Sequence, residues 1–349
     1  MQHADKRLEW VDVAKGICIV LVVLMHSTLG VEKATGSETW LHPFIDWARP
    51  FRMPDFFLIS GLFLASRIDR PWRAYLDTKV VHFAYFYVLW LTIQFTLKAP
   101  GMIAEQGAVQ TLESYLVSFI EPFGTLWFIY LLAVFFVATK LMRGVAPWLV
   151  FTGAAALHML APQTGFTLPD EFASRFVFFY TGYALAPLVF RLASDIASRP
   201  RALVAGALLV WAAAEVAAVY SGVADMPVLK LVVSYIGIGA VVALSVILTG
   251  TASGRVLGYC GLHSIAIYLA FTLFMGPVRA VALKITDGEH GALVALAATF
   301  AGVVGSLILR RLVQGTPLGF LFTRPDRFKI VSGKPAPLEP RVQQAAAQI

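Results

Sequence analysis

The 349-residue chain carries little charge: only 14% of its residues are Asp, Glu, Lys or Arg, whereas 58% are hydrophobic. Soluble domains contain about 25% charged residues, so this composition, with a mean hydropathy of +0.73, excludes a soluble protein and indicates one that crosses a membrane several times. No P-loop, Rossmann fingerprint or metalloprotease helix motif is present. The two cysteines, Cys18 and Cys260, fall inside or at the edge of apolar runs and are interpreted as packing residues.

Runs of about 20 apolar residues predict membrane-spanning helices, because a helix of that length crosses the hydrocarbon core. Ten such runs lie near residues 11–30, 51–67, 79–99, 124–142, 147–161, 172–190, 202–221, 229–249, 257–283 and 290–314. We therefore predict an all-α bundle of about ten transmembrane helices over residues 1–322. Residues 323–349 are rich in Pro, Lys, Arg and Gln without apolar periodicity, which predicts a disordered cytoplasmic tail.

The basic residues orient this bundle, since Lys and Arg concentrate in the cytoplasmic segments of membrane proteins. With the N-terminus inside, more than two thirds of the 28 Lys and Arg residues face the cytoplasm. We therefore expect both termini to be cytoplasmic. This bias and anionic lipid account for the net charge of +7, so the charge does not indicate a nucleic-acid partner.

The first apolar run contains three polar residues that are costly in a membrane. Asp12, Lys15 and His26 interrupt the segment WVDVAKGICIVLVVLMHS at residues 10–27. The eleven-residue step from Lys15 to His26 corresponds to about 1100° of helix rotation, so both side chains share one face, separated by roughly 16 Å along the axis. Ionisable residues inside a span indicate a functional site, and this pair suggests a reaction path from the cytoplasmic surface into the bilayer.

The spacing of these residues resembles the first helix of the acyltransferase 3 family of integral membrane acyltransferases. The matching positions are Asp12, Lys15, Gly16 and His26. The cation of this pattern is usually Arg, and the Lys found here is typical of the branch resembling fucose 4-O-acetylases.

Three further segments extend the resemblance over most of the chain. They are residues 53–63 (MPDFFLISGLF), 125–131 (TLWFIYL) and 258–269 (GYCGLHSIAIYL). The residues in register are Pro54, Phe57, Ser60, Gly61, Trp127, Gly261, Ser264 and Tyr268. One position departs from the pattern, because a histidine often found two residues after the late Tyr-Leu element is Phe271 here.

The resemblance implies transfer of an acetyl or other short acyl group from cytoplasmic acetyl-CoA, or another acyl-CoA, to a saccharide hydroxyl outside. It implies no tightly bound cofactor. A neutral imidazole suits proton removal from a hydroxyl near pH 7, so His26 is the candidate general base. Asp12 either orients the helix entrance or pairs with Lys15, which is a candidate contact for the CoA phosphates. The rival interpretations are a hydrogen-bonded bundle histidine for His26 and a topology anchor for Lys15.

Two further sets of residues are candidates for the same site. A second phosphate-binding cluster is implied at Arg67, Arg70, Arg73 and Lys79, although such residues also serve as positive-inside anchors. The candidate substrate-cavity residues are Ser60, Trp127, Glu215, Ser264 and Tyr268. Ser60 is also explained by close helix packing, Trp127 by interface anchoring, and Glu215 by a protonated or paired structural carboxyl.

The sequence therefore predicts a membrane O-acyltransferase, most simply in a bacterial inner membrane, whose partners are an acyl-CoA donor, a saccharide acceptor and the lipid bilayer. The alternative is a transporter of a small polar substrate, which would also carry charged intramembrane residues. No internal repeat of the two-half kind supports that alternative. A binding protein is a third possibility, against which the presence of His26 argues. No motif fixes the acceptor, the acyl length or the oligomeric state.

Overall fold

The structure is a computed structural model of the chain that describes residues 8–286, 288 and 290–331. The described residues form helices and turns, with no β-strand among them. Their α-helices are α1 Glu9–Thr35, α2 His42–Trp47, α3 Arg49–Leu62, α4 Trp72–Leu76, α5 His82–Gln106, α6 Ala108–Val117, α7 Trp127–Leu141, α8 Pro147–Leu160, α9 Thr167–Ala184, α10 Ala186–Ala197, α11 Arg201–Tyr220, α12 Pro227–Leu248, α13 Ala252–Leu262, α14 Ser264–Ile285 and α15 Gly291–Val313. The all-α prediction is confirmed.

Seven helical segments within the described ranges are long and apolar enough to cross a membrane. They are Glu9–Thr35, Trp72–Gln106, Gly124–Gly144, Arg201–Tyr220, Pro227–Leu248, Ser264–Ile285 and Gly291–Val313. Helices α9 and α10 give an eighth span if the pair, bent by 75°, is counted as one.

The predicted count of ten spans is not confirmed. Residues 51–67 and 147–161 fall on α3 and α8, which have 14 residues each. A helix of that length covers about 21 Å, less than the roughly 30 Å hydrocarbon core. The structure is thus that of a multi-pass membrane protein with seven or eight spans among the described residues.

The chain divides into two compact units. Among the described residues, unit 1 lies within 8–59 and 185–312, and unit 2 lies within 60–184 and 313–331. Unit 1 therefore joins the beginning of the chain to its later helices, and unit 2 joins the middle to the residues that follow α15.

Helix α1 is the central helix of unit 1. Glu9 and Asp12 lie in its first turn, where negative charge is favoured by the helix dipole. It ends at Gly36, which has a left-handed φ of 71° and donates its N–H to the Glu32 carbonyl. Between these ends α1 packs against α2, α12, α13 and α14, so its polar residues are held by several other helices.

The closest approach in unit 1 is the crossing of α1 and α13. A Cβ atom added to Gly261 would overlap the carbonyl oxygen of Asp12, and one added to Gly16 would overlap that of Leu257. Small residues allow membrane helices to approach this closely. Two glycines of the sequence pattern therefore fix where the start of α1 lies.

Unit 2 is built around α5, α7 and α9. Phe135 of α7 packs against Phe172, Phe176 and Phe179 of α9, with ring centroids 5.2–5.4 Å apart. A Cβ added to Gly61 would overlap the Phe179 carbonyl oxygen. The Ser60–Gly61 pair thus lies at a tight helix contact, as the packing interpretation of Ser60 requires.

The first residues after α15 pack against α5. The Trp90 indole donates to the Leu321 carbonyl at 2.9 Å, and the Tyr85 hydroxyl donates to that of Phe320 at 3.0 Å. Arg324 is buried and forms an ion pair with Asp77 at 3.0 Å. Of the tail predicted to be disordered at 323–349, residues 323–331 therefore carry specific contacts, whereas 332–349 lie outside the described residues.

Candidate active site

The predicted site residues fall into two groups, one in each unit. Unit 1 contains Asp12, Lys15, His26, Glu215, Ser264 and Tyr268, and unit 2 contains Ser60, Arg67, Arg70, Arg73, Lys79 and Trp127.

His26 lies in the middle of α1 with a half-buried side chain. Its imidazole packs against the ring of Phe271 of α14, with centroids 5.5 Å apart and planes tilted by 30°. Phe271 is itself fully buried. The single departure from the family pattern therefore lies directly beside the candidate base, where it offers an apolar ring face instead of a hydrogen-bonding group.

Arg52 of α3 approaches the same part of α1, and sequence reasoning missed it. Its side chain is only 6% exposed. The guanidinium donates to the Ile45 carbonyl at 3.3 Å and contacts the Met25 sulfur at 2.8 Å. It also interacts electrostatically with His26. The signal that the sequence offers is an arginine immediately before the segment MPDFF, which belongs to an apolar run.

Asp55, one turn further along α3, is a second buried polar group that the sequence did not single out. Its carboxyl is fully buried and accepts a hydrogen bond from the Cys18 thiol at 2.8 Å. Cys18 is therefore a hydrogen-bond donor as well as a packing residue. The pair ties α3 to α1 between the positions of Lys15 and His26.

The start of α1 carries the predicted ion pair. The Lys15 ammonium lies 3.9 Å from the Asp12 carboxylate, and the two side chains are 30% and 15% exposed. Because both residues flank the glycine-mediated crossing with α13, their backbone positions are fixed, while the Lys15 head group keeps access to solvent.

The remaining candidates of unit 1 are buried. Ser264 and Tyr268 are 7% and 6% exposed at the start of α14, and Glu215 of α11 is 3% exposed. Trp211, one turn before Glu215 on α11, packs against Trp47 at 5.2 Å. Glu215 is therefore a buried carboxyl in an aromatic setting, which agrees with the structural interpretation as well as with the functional one.

The C-terminal end of α1 is held by a charged cluster. His42 Nδ1 lies 2.8 Å from Glu32 Oε2, and the Thr39 backbone N–H donates to Glu32 Oε1 at 2.9 Å. The hydrogen bond to Glu32 raises the pKa of His42, although burial opposes the shift. These contacts fix the loop that follows α1.

In unit 2, a basic cluster forms around the loop that leads into α4. Arg67, Arg70 and Lys79 lie close enough for mutual electrostatic repulsion. Burial lowers the pKa of the Arg67 guanidinium, and repulsion from Arg70 lowers it further. Lys79 lies in a π-helical turn, Asp77–Val81, with its ammonium 4.2 Å from the ring centroid of Phe136. Like charges held together in this way favour an anionic ligand.

The other two predicted residues of this region, Arg73 and Trp127, are exposed or partly exposed. Arg73 is exposed on α4. Trp127 begins α7 with a partly exposed side chain that meets Phe128 edge-on at 6.3 Å. Both positions are compatible with a ligand contact and with an anchoring role.

Lys140 of α7 is a further residue that sequence reasoning missed. It is 3% exposed, and its ammonium donates to the carbonyls of Ile68 and Arg70 at 2.5 and 2.8 Å. The charge also lies 4.5 Å from the ring centroid of Tyr75. In the sequence Lys140 is a cation at the end of an apolar run, whereas the structure shows it holding the backbone that carries Arg67 and Arg70.

Comparison with known proteins identifies similar chains. A family model described as an acyltransferase domain matches residues 8–311. The inner membrane protein YcfT of Escherichia coli (strain K12) is 28% identical over 161 residues, which are 39% of this chain and 44% of that protein.

Nodulation protein NolL of Mesorhizobium japonicum is 27% identical over 157 residues, or 44% of this chain and 41% of that protein. NolL of Sinorhizobium fredii is 27% identical over 154 residues, with shares of 43% and 41%. The chain thus matches less than half the length of these relatives. No solved structure matches it significantly.

Proposed function

The chain belongs to the acyltransferase 3 family of membrane enzymes, and we propose that it transfers an acetyl or other short acyl group from cytoplasmic acyl-CoA to a hydroxyl of a cell-surface or lipid-linked saccharide. The family match over residues 8–311 carries this proposal. The half-buried His26 on α1 supports it, because an imidazole that is neither fully buried nor fully solvated can meet a substrate hydroxyl.

In the proposed reaction His26 removes the proton from the acceptor hydroxyl as its oxygen attacks the thioester carbonyl. The C–O bond forms, the carbonyl electrons move onto oxygen, and collapse of the tetrahedral intermediate breaks the C–S bond. The proton then passes from the imidazolium to the CoA thiolate. Ser27 is fully buried, and the Cys18 thiol donates a hydrogen bond to the Asp55 carboxyl. Direct transfer is therefore favoured over an acyl-enzyme formed on either side chain.

The proposed donor contacts are the basic side chains at the predicted cytoplasmic surface. CoA carries several phosphate groups, which guanidinium and ammonium groups bind through charge-assisted hydrogen bonds. Arg67, Arg70 and Lys79 support this role through their mutual proximity. Lys15 and Arg73 are assigned to it by the family resemblance.

The proposed setting is a bacterial inner membrane with both termini in the cytoplasm. The positive-inside distribution supports this orientation, and one relative is named an inner membrane protein. Acyl-CoA would then enter from the side that carries most of the basic residues.

The decisive experiment measures the consumption of acetyl-CoA by membranes that contain the parent protein. Free thiol and labelled product are quantified for each member of a panel of saccharide acceptors. We expect thiol release that depends on an acceptor and yields an acylated saccharide. A transporter would move the substrate without consuming acetyl-CoA. Substrate movement without thiol release would therefore contradict the proposal.

Lys140 provides a test of the donor site. We expect Lys140→Met to raise KM for acyl-CoA roughly 10-fold, because removing a charged hydrogen-bond donor costs about 1.5 kcal/mol and releases the backbone that carries Arg67 and Arg70. Steady-state kinetics at varied acyl-CoA measures the effect. The matched control is Arg143→Met, which removes only an exposed ion pair with Asp69. An equal KM in both variants would contradict the assignment.

A further inference from the structure

The buried guanidinium of Arg52 lies in unit 1 against Met25, the residue that precedes the candidate base on α1. A buried arginine within a membrane protein is expensive and usually has a role that needs the charge. Its contact with the Met25 sulfur at 2.8 Å places it at the level of His26, the next residue of α1.

Two arginines of α3 differ in burial: Arg52 is buried, whereas Arg49 is exposed. Arg49, three residues earlier, forms a two-pronged ion pair with Asp225 at 2.8 and 3.0 Å, and these side chains are 49% and 53% exposed. Arg52 is 6% exposed and directs one nitrogen to the Ile45 carbonyl at 3.3 Å. The thioether of Met25 on α1 and the carbonyl of Ile45 on α2 both contact the guanidinium.

We propose that Arg52 is a further catalytic residue of the acyl transfer, whose guanidinium stabilises the negative charge that develops on the thioester oxygen during attack by the hydroxyl that His26 deprotonates. This inference rests on the proposed function. As the C–O bond forms, the carbonyl electron pair moves onto the oxygen, and a fixed positive charge there lowers the barrier. When the C–S bond breaks, the electron pair returns and the thiolate takes the proton held by His26.

The arrangement assigns two separate tasks to two helices. His26 of α1 removes the proton from the hydroxyl, and Arg52 of α3 stabilises the negative charge on the carbonyl oxygen. A preorganised donor in a water-poor site acts without reorganisation at the moment of reaction. The contacts of Arg52 with Met25 and Ile45 supply that preorganisation in the resting protein.

The test compares Arg52→Gln and Arg52→Lys with the control Arg49→Gln in membranes, using acyl-CoA and the acceptor found for the parent. We expect Arg52→Gln to lower kcat by 100-fold to 1000-fold, as the loss of an oxyanion donor does, with KM for either substrate changed less than about 3-fold. Arg52→Lys retains the charge and should recover part of the lost kcat. Arg49→Gln should stay within about 2-fold of the parent, because it loses only a surface pair.

Three results would overturn the proposal. One is a kcat for Arg52→Gln within about 3-fold of the parent, and another is a change confined to KM, which would make Arg52 a binding residue. The third is loss of folded protein in both Arg52 variants, which would assign the side chain to structure. Failure of the proposed function is a distinct outcome, since the parent itself would then release no thiol.

Discussion

His26→Ala is expected to lower kcat for acyl transfer by at least about 100-fold, since general base catalysis contributes about 10²- to 10⁴-fold. The imidazole is half-buried on α1 beside Phe271, and no other group is proposed to take the hydroxyl proton. The loss of one ring contact costs stability by only about 0.5–1.5 kcal/mol. Thiol release and labelled product, measured at equal amounts of folded protein, give the result.

The matched control for this variant is His263→Ala. The His263 ring also packs against an aromatic ring, meeting Tyr259 edge-on at 4.6 Å, so its removal costs packing as well. We expect its kcat to remain near that of the parent. Turnover by His26→Ala equal to that of His263→Ala would place the base elsewhere.

The second large effect is expected at the crossing of α1 and α13. Gly261→Ala places a methyl group against the carbonyl oxygen of Asp12. The obstacle is backbone, so no side-chain rotation relieves the overlap, and the helices must separate. We expect a loss of stability above about 4 kcal/mol, seen as a sharp fall in the yield of folded protein and in Tm in detergent.

Gly258→Ala on the same helix is the matched control. The added Cβ would lie 3.7 Å from a Val13 methyl, an ordinary van der Waals distance. This variant should unfold near the parental Tm and keep its activity. A parental Tm for Gly261→Ala would show that the crossing is looser than the structure indicates.

Sequence reasoning identified the polar residues that an apolar run could not explain. Asp12, Lys15 and His26 stand out because charge is rare inside a span, and all three lie on α1. The departure at Phe271 was also visible in the sequence. That Phe271 meets the His26 ring was not, because the contact depends on the packing of α14 against α1.

The residues that were missed look like ordinary membrane anchors in the sequence. Arg52 and Lys140 are single cations near the ends of apolar runs, and only tertiary packing shows that both are buried. The Cys18–Asp55 hydrogen bond joins residues 37 positions apart, which no local pattern relates. Each of these assignments required knowledge of which helices are neighbours.

The predicted span count was not confirmed for a related reason. Hydropathy marks the apolar runs of α3 and α8, but not that the helices end after 14 residues. Nor does it mark the 75° bend between α9 and α10. The overall class was predictable because composition determines it, whereas individual span lengths depend on where each helix meets its neighbours.

The pairing of α1 with α13 also determines the order in which the protein can be assembled. Asp12 leaves the ribosome about 250 residues before Gly261, and at about 5–20 residues per second this interval lasts roughly 12–50 s. During that time α1 is present without α13, the helix that packs against its start. The start of α1 therefore lacks its α13 neighbour throughout this interval, so the glycine-mediated crossing forms only late in biogenesis.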